Sequence, residues 1–261
     1  MNVIVFGDGP MGRAIGTALA DPGVSAPFVV GRPATGGHDP SRLPPADVVF
    51  DASRSSAVAP NITAGLLAGC RRFVIATTGW ETDRTWVEHI LLEHDASAVV
   101  APNLSVGVAL FGRLVETAVD LFGRLEAFDP FVVEWHRRGK ADRPSGTARD
   151  LAARILAGHP RKTRLADARQ DGPPAPDELD VAVVRAGSSP GMHLVGFDAP
   201  GETVELRLTA RDRSAYAAGA VLAAQWLVAE PRLPGIHGFD EVVADLLASG
   251  TARLAGEPAA V

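Results

Sequence analysis

Short apolar runs alternate with segments of helical spacing along the first hundred residues of the chain. Each run has the length of a buried strand rather than of a helix. The pattern predicts strands at Val3–Phe6, Phe28–Val30, Val48–Phe50, Phe73–Ala76 and Ala98–Val100. It predicts helices at about Met11–Ala20, Val58–Ala68 and Trp86–Glu93, and a surface loop at Pro33–Pro45. Strands that alternate with helices are typical of a parallel, doubly wound α/β sheet.

The pattern changes after Asn103, where the predicted strands become longer and follow one another. Strands are predicted at Ala127–Trp135, Val181–Arg185, Met192–Phe197 and Thr203–Thr209. Helices are predicted at Val106–Leu121, Ala148–Leu156, Ser214–Val228 and Phe239–Leu247. The polar, proline-containing segment Arg161–Asp180 is predicted to be exposed, and Gly256–Val261 to be a frayed tail.

Residue alternation assigns the strand side chains to faces. In the strand that ends near Trp135, this residue shares a face with Phe131 and Val133, while Glu134 and His136 share the other face. The predicted strand Thr203–Thr209 alternates in the same way, with apolar side chains on one face and polar side chains on the other. Such a strand is expected to have one covered face and one open face.

Composition narrows the class of protein. The chain has 261 residues, of which 46% are hydrophobic and 21% charged, so it is expected to fold rather than remain disordered. Its 25 basic and 31 acidic residues give a net charge of −6, which disfavours general binding to nucleic acid or to acidic membranes. The single Cys70 excludes an intrachain disulfide and a thiolate metal cage.

No targeting or membrane segment is predicted. Met1–Phe6 carries no basic residue of the kind that opens a secretory signal, and Gly7 interrupts the apolar run. No stretch reaches the roughly 18–20 uninterrupted apolar residues of a membrane helix. We therefore expect a cytoplasmic protein.

The first chemical motif is the sequence Gly7-Asp8-Gly9-Pro10-Met11-Gly12, which follows the first strand and opens a helix. Glycines at this spacing permit a tight turn and a close approach of the backbone to a pyrophosphate, which then lies at the helix N-terminus. The motif favours dinucleotide binding, and the alternative is an ordinary glycine-rich turn.

Arg32 follows the second strand, where a cation can bind a 2′-phosphate, which favours NADPH over NADH. Arg32 as a solvated loop residue is equally compatible with the sequence.

The second motif is the basic segment that follows the strand ending in Glu134-Trp135-His136. Four cations lie close together within a net acidic protein, which indicates a site for an anionic ligand. They are Arg137, Arg138, Lys140 and Arg143. Ser145-Gly146-Thr147 precedes a helix whose free N–H groups can bind a carboxylate, and Asp150 three residues after Thr147 suggests a capping box. The alternative is a solvated basic loop with a routine helix cap.

This segment resembles the dihydrodipicolinate reductase family, whose hallmark is E-x-H-H-x-x-K-x-D-x-P-S-G-T-A. The residues that match the hallmark are Glu134, His136, Lys140, Asp142, Pro144, Ser145, Gly146, Thr147 and Ala148. Other stretches resemble the family's motifs in the same order: Gly7–Gly12, Asp51–Ser53, Ala76–Trp80 and Ala101–Gly107. Single residues further on also follow the family's order: Arg185, Gly187, His193, Phe197, Gly201, Glu202, Arg213, Gly219 and Ala220.

The resemblance implies an N-terminal Rossmann-like domain of residues 1–105 and 214–261, and an α+β substrate and oligomerisation domain of residues 106–213 that builds a homotetramer. It implies NADPH- or NADH-dependent reduction of 4-hydroxy-tetrahydrodipicolinate, a small anionic cyclic substrate, to tetrahydrodipicolinate in the diaminopimelate route to lysine. It implies that His136 and Lys140 are catalytic proton donors. The implied substrate-binding residues are Arg137, Ser145, Gly146 and Thr147. The implied cofactor-binding residues are Gly7, Asp8, Gly9, Pro10, Met11, Gly12, Arg32, Ala76, Thr77, Thr78, Ala101, Pro102, Asn103 and Leu104. No metal is implied.

The chain departs from the family's pattern at several positions. Arg137 stands where the family has a second histidine, Gly139 precedes the lysine, and Leu208 stands where many members carry a histidine. Ala76 replaces a glycine, and the nucleotide loop is one residue shorter than usual. Two alternatives to the lysine-pathway enzyme therefore stay open. One is a paralogue that reduces another anionic cyclic imine or unsaturated acid, and the other is a non-catalytic nucleotide-binding protein.

Overall fold

The computed structural model describes residues 1–20, 26–33, 38–167 and 172–249. Its strands, in chain order, are β1 Val3–Phe6, β2 Phe28–Val30, β3 Val48–Asp51, β4 Arg72–Ile75, β5 Ser97–Val100, β6 Asp129–His136, β7 Arg164–Leu165, β8 Glu178–Arg185, β9 Met192–Ala199, β10 Glu202–Thr209 and β11 Gly235–Gly238. Its α-helices are α1 Pro10–Ala18, α2 Val58–Leu67, α3 Arg84–Glu93, α4 Val106–Phe122, α5 Gly146–Gly158, α6 Ser214–Ala229 and α7 Phe239–Ser249. The chain divides into two compact units: Met1–Val106 with the segment from Arg213 onward, and Gly107–Asp212.

The first unit is built on a six-stranded parallel sheet in the order β11-β5-β4-β3-β1-β2. All four residues of β1 and of β3 are buried, because helices cover both faces of a parallel sheet. This arrangement confirms the predicted doubly wound α/β class. Strand β2 lies on one side of β1 and strand β3 on the other, so the direction in which the sheet grows reverses at β1. Ligands of such folds bind beyond the carboxyl ends of the strands where this reversal occurs.

The second unit is built on a five-stranded mixed sheet in the order β10-β9-β6-β8-β7. Helices α4 and α5 cover one face, where Phe111, Leu151 and Ile155 pack against Val132 and Phe197 of the sheet. The α+β class predicted for this part of the chain is therefore confirmed. The buried residues of β6 alternate with half-buried or exposed ones, as the sequence predicted.

The other face of this sheet is open within the unit. Trp135 of β6 is 38% exposed and Val184, its register partner on β8, is 42% exposed. Phe131 lies on the same face over Gly196, where an added Cβ would come within 2.3 Å of the phenyl ring. An apolar sheet face of this kind is typical of a surface that another protein chain covers.

The prediction of an exposed segment at Arg161–Asp180 is wrong at both ends. Lys162 is buried, with its Nζ 2.6 Å from Oδ1 of Asp129, and Glu178 is buried at the start of β8. Leu179 belongs to the core of the unit. Polar and charged residues are buried here because each has an ionic or hydrogen-bond partner, which composition does not reveal.

Strand β11 was not predicted, because Gly235-Ile236-His237-Gly238 lacks the apolar run that marks a strand. Its backbone pairs in parallel with β5 and extends the sheet by one strand. The predicted frayed tail at Gly256–Val261 and part of the loop Pro33–Pro45 lie outside the described residues. Among the helices of the described residues, none is long and apolar enough to cross a membrane.

Candidate active site

The glycine-rich loop forms the tight turn from β1 to α1 that the sequence predicted. A Cβ at Gly12 would lie 1.8 Å from the carbonyl oxygen of Gly7, so the helix can approach the strand only when residue 12 is glycine. Gly7 has a φ of +109°, and a Cβ there would lie 2.3 Å from the oxygen of Ala52. Helix α1 begins at Pro10 after Gly9, which offers no side-chain cap, so the first amides of the helix are suited to a phosphate.

A cavity of about 340 Å³ lies beside this loop, at the carboxyl ends of β1, β2 and β3. Its lining includes Gly7, Asp8, Gly9, Gly31, Arg32, His38, Ser53, Arg54 and Asn61. The exposed guanidinium groups of Arg32 and Arg54 give it two cations. Arg54 was not among the predicted cofactor residues, because it follows a different strand from Arg32 and only the parallel sheet brings the two segments to one edge.

The predicted segments Ala76–Thr78 and Ala101–Leu104 follow β4 and β5 at the same edge of the sheet. Thr77 is buried, and its hydroxyl donates to a carboxylate oxygen of Asp51 and accepts from the amide of Ser53 at 2.9 Å. Thr78 is exposed. Within this segment the side chain of Thr77 is therefore hydrogen-bonded inside the protein, whereas that of Thr78 is accessible to a ligand.

The carboxylate of Asp51 is fully buried and accepts hydrogen bonds from several donors. It accepts hydrogen bonds from the amide of Ser53 at 3.2 Å, from the Ser53 hydroxyl at 2.9 Å and from Nδ2 of Asn61 at 2.7 Å, besides that from Thr77. These bonds join the loops after β3 and β4. Asp51 therefore ties the predicted cofactor segment Ala76–Thr78 to the loop that follows β3.

The remaining predicted cofactor segment is fixed by α6. Nδ2 of Asn103 donates to the Tyr216 hydroxyl at 2.9 Å, and Oδ1 of Asn103 accepts from the amide of Ser105 at 3.0 Å. A Cβ at Gly219 would lie 1.6 Å from the carbonyl oxygen of Leu104, so α6 can approach this backbone only through a glycine. Helix α6 thus positions a loop that lies over a hundred residues earlier in the sequence.

The second unit carries a buried cluster of titratable side chains on the helix-covered face of its sheet. His136 and Glu134 lie two residues apart on β6, and Nδ1 of His136 is 3.2 Å from Oε2 of Glu134. Oε1 of the same glutamate accepts from the amide of Ser145 at 2.9 Å and from Nη2 of Arg185 at 2.7 Å. The cluster therefore joins β6, β8 and the start of α5.

The ionisation of this cluster follows from burial and charge. Burial tends to raise the pKa of Glu134, but hydrogen bonds from Ser145 and Arg185 outweigh it, so the pKa lies below its ordinary value. Burial lowers the pKa of His136, and the nearby cations Lys140 and Arg185 lower it further, while the charge of Glu134 opposes them. The glutamate is thus ionised at neutral pH beside a histidine whose pKa lies below its ordinary value.

His193 belongs to this cluster, although it was not among the predicted site residues. Its ring meets the His136 ring edge to face, with the centroids 5.2 Å apart. Burial, together with the charge of His136, lowers the pKa of His193 to about 4. The register of β6 with β9 places His193 opposite Glu134, and this cross-strand neighbourhood cannot be derived from the spacing of the residues in the chain.

The other predicted site residues lie around the cluster. Nζ of Lys140 is 2.8 Å from Oδ1 of Asp142, and Arg137 beside His136 is exposed. Ser145 is the N-cap of α5, its hydroxyl accepting from the Ala148 amide at 3.2 Å. Gly146 and Thr147 form the first turn of that helix.

The predicted capping box of Thr147 and Asp150 is wrong. The helix starts two residues earlier than this pairing requires, because the Ser145 hydroxyl caps it. Asp150 instead pairs with Nε of Arg154 at 2.9 Å. The amide that precedes the helix is bound to Glu134, which ties the helix start to the strand.

Three ligand atoms of Glu134, His136 and His193 lie within 4.8 Å of one another, a set of residue types that also occurs in zinc sites. In this cluster, however, Nη2 of Arg185 lies 2.7 Å from the glutamate, and Lys140 adds a second positive charge. The carboxylate is already neutralised by a hydrogen-bonded cation. The arrangement is therefore better suited to proton transfer and anion binding than to a divalent cation.

The model of the family described as "Dihydrodipicolinate reductase, C-terminus" matches residues 107–243. A 4-hydroxy-tetrahydrodipicolinate reductase of Methanoregula boonei is 34% identical over 197 residues, which cover 76% of this chain and 74% of the relative. The enzyme of the same name from Methanopyrus kandleri is 37% identical over 201 residues, covering 76% and 71%. The chain belongs to the dihydrodipicolinate reductase family. The resemblance drawn from its motifs is thereby confirmed.

Solved structures agree with the fold of this family. The chain is similar to a dipicolinate-bound dihydrodipicolinate reductase from Paenisporosarcina sp. TG-14, with a TM-score of 0.67 and 18% identity over 91% of this chain and 97% of the other. It is also similar to an engineered D-amino acid dehydrogenase bound to NADP+, with a TM-score of 0.52 and 15% identity over 96% and 99%. At these identities the likeness concerns the fold.

Proposed function

We propose that this protein is an NAD(P)H-dependent reductase that converts 4-hydroxy-tetrahydrodipicolinate to tetrahydrodipicolinate in the diaminopimelate route to lysine. Its membership of the dihydrodipicolinate reductase family and the names of its relatives support this function. The observation that carries the proposal is the cluster of Glu134, His136 and Arg185, with Lys140 beside it. It combines a titrating histidine with fixed cations, as reduction of an anionic ring requires.

The residues of the first unit fit a nicotinamide dinucleotide. The glycine turn leaves the start of α1 open to a pyrophosphate, and the adjoining cavity carries Arg32 and Arg54. Residues 1–105 and 214–261 would thus form the cofactor domain, and residues 106–213 the substrate domain. When bound, a reduced nicotinamide supplies the hydride that reduces a conjugated C=C–C=N unit of the ring, which the 4-hydroxy substrate presents after it has lost water.

The substrate carries two carboxylates, and the second unit offers groups of opposite charge. Lys140 supplies an ammonium group, which pairs with Asp142 at 2.8 Å, and Arg137 supplies a guanidinium that can bind a carboxylate through two hydrogen bonds. The first turn of α5, at Gly146 and Thr147, adds the positive end of a helix. These groups would hold the dicarboxylate, with Ser145 fixing the start of the helix.

Reduction leaves an enamine-like anion on the ring, and this anion must receive one proton. His136 is placed to donate it as an imidazolium, becoming a neutral imidazole. Lys140 can stabilise the developing charge, or donate this proton in place of His136. Solvent then returns a proton to His136 after the product has left.

NADPH is the cofactor that the cavity favours. The 2′-phosphate carries negative charge, and Arg32 and Arg54 lie on segments that both line the cavity. NADH would lack the phosphate that these guanidinium groups can bind. We therefore expect a lower Kd for NADPH than for NADH.

A homotetramer is the proposed assembly. The open sheet face of the second unit exposes Trp135 and Val184 beside Phe131, and a second copy of the chain would bury them. Analytical ultracentrifugation measures the mass directly. A tetramer that Trp135→Glu reduces to smaller species supports this assembly, and a wild-type monomer would contradict it.

One observation favours a second candidate function within the same chemistry. Leu208 lies opposite His193 in the β9–β10 register, where many members of the family carry a histidine, and Arg137 replaces another histidine. An altered pocket of this kind fits a reductase of a different anionic cyclic imine.

The deciding experiment follows NADPH oxidation at the nicotinamide absorbance with freshly generated 4-hydroxy-tetrahydrodipicolinate. Turnover by the wild type, with a loss of about 100-fold or more in kcat for His136→Gln and unchanged NADPH binding, supports the function. His89→Gln, an exposed histidine of α3, is the matched control. Binding of NADPH without turnover would instead favour the second candidate, and failure to bind a nicotinamide cofactor would overturn both.

A further inference from the structure

The carboxylate of Glu134 is in direct contact with the ring of His136. Its side chain is fully buried, and two donors, the Ser145 amide at 2.9 Å and Arg185 at 2.7 Å, both reach Oε1. Oε2 lies 3.2 Å from Nδ1 of His136 as an ion-pair contact, and neither of these two buried atoms has a hydrogen-bond partner in the described chain. The carboxylate thus has one oxygen held by the fold and one oxygen presented to the histidine.

An ionised carboxylate only accepts hydrogen bonds, so the nitrogen that faces it at 3.2 Å is best satisfied when it carries the proton. Because the Ser145 amide and Arg185 keep Glu134 ionised, this condition persists at neutral pH. The charge of Glu134 therefore favours the His136 tautomer with a proton on Nδ1. The other nitrogen, Nε2, is left to exchange a proton with the solvent or the substrate.

The backbone just before β9 leaves room at that second nitrogen. Gly191 lies against the ring so that a Cβ at this position would be 2.9 Å from Nε2. A side chain here would occupy the space through which a ligand approaches the nitrogen. The two ring nitrogens of His136 thus meet opposite surroundings, a carboxylate at Nδ1 and a glycine at Nε2.

We propose that Glu134 is a positioning residue that fixes the ring and tautomer of His136 and so makes Nε2 the atom that delivers the proton. The inference rests on the proposed reductase function. In the step, the Nε2–H bond of the imidazolium breaks and its proton goes to the anionic ring, while the proton on Nδ1, which faces the charge of Glu134, stays in place. Arg185 and Ser145 hold the carboxylate of Glu134 in this position.

Substitution of Glu134 by Gln tests the proposal with little change of shape. The carboxamide oxygen can still accept from Ser145 and Arg185, whereas its NH₂ group would face Nδ1 and favour the opposite tautomer. We expect kcat to fall on the order of 100-fold, with KM and the Kd for NADPH changed by less than about threefold. Loss of the negative charge also lowers the pKa of His136, so the alkaline limb of the kcat profile moves to lower pH.

Glu178→Gln is the matched control, because Glu178 is a buried glutamate of the same sheet that also accepts a backbone amide, from Ala175 at 2.8 Å. This variant should retain kcat and the pH profile. If Glu134→Gln retains both as well, the positioning role is overturned. If both variants lose activity alike, the effect is one of folding, and the proposal then depends on the following measurement.

The tautomer is measured directly in the wild type by ¹⁵N NMR of histidine-labelled protein, with the His136 signals identified by their absence in His136→Gln. We expect the neutral ring to carry its proton on Nδ1. A proton on Nε2 would overturn the proposal. This readout needs no turnover, so it separates a failure of the positioning role from a failure of the proposed function.

Discussion

Leu208 and His193 are cross-strand partners in the antiparallel pair of β9 and β10, and the buried Nδ1 of His193 has no hydrogen-bond partner in the described chain. A buried imidazole next to a leucine cannot readily accept a charge. His193 also faces Glu134 and His136, with Lys140 and Arg185 close by. The histidine is therefore neutral at pH 7 and adds no further positive charge to the cluster.

This relationship predicts that the protein loses stability in mild acid. The pKa of His193 is about 4 in the folded chain against 6.5 for an ordinary histidine, so the unfolded state binds more protons between these values. The stability is complete above pH 6.5 and falls as the pH is lowered to 4, by up to about 3 kcal/mol from this residue.

Urea unfolding of the wild type and of His193→Gln between pH 7 and 4 checks this prediction. The free energy of unfolding should depend less on pH in the variant, whereas His89→Gln should behave like the wild type because His89 is exposed. Equal slopes for all three proteins would show that His193 does not contribute to the acid sensitivity.

A methyl group at Gly191 is expected to block the proton donor. The Cβ of Gly191→Ala would lie 2.9 Å from Nε2 of His136, closer than unstrained packing allows, so the ring or the strand must move. We expect kcat to fall at least about tenfold while NADPH still binds. Gly139→Ala is the control, since a Cβ there meets no atom within 4 Å. Steady-state kinetics that are the same for both variants would argue against access through Nε2.

Removal of the guanidinium of Arg32 is expected to change the preference between the two cofactors. Arg32→Ala should raise the Kd for NADPH about tenfold, corresponding to one charge-assisted hydrogen bond of about 1.4 kcal/mol, and leave the Kd for NADH nearly unchanged. Fluorescence titration with each cofactor measures the ratio. Arg84→Ala, at the start of α3 and outside the cavity lining, is the control. A parallel loss for both cofactors would assign Arg32 to another part of the nucleotide.

Asp51 is expected to contribute to stability as well as to loop position. In Asp51→Asn the carboxamide cannot accept from all the donors that now reach the carboxylate, so at least one buried group loses its partner. We expect a loss of about 1–3 kcal/mol in the free energy of unfolding and a weaker affinity for NADPH. Asp120→Asn removes an exposed ion pair with Arg124 and should cost less than about 1 kcal/mol. A similar small loss for Asp51→Asn would contradict the role assigned to the carboxylate.

Five of the six strands of the first sheet, the glycine turn and the family could be predicted from the sequence. Strands such as Val3–Phe6 are recognisable because both of their faces are buried, which makes them continuously apolar. The turn at Gly7–Gly12 is recognisable because only glycine fits its backbone. The alternation of β6 also placed Glu134 and His136 on one face. These are local rules, in which neighbouring residues decide the outcome.

Which residues of the site lie in contact depends on the tertiary structure. Glu134, Arg185 and His193 lie on three strands and are brought together by the registers of β6 with β8 and with β9. Strand β11 forms because its backbone pairs with the edge of β5, although its own residues do not favour a strand. Hydrogen bonds and charges between distant segments depend on register and packing, which a single sequence does not encode in any local pattern.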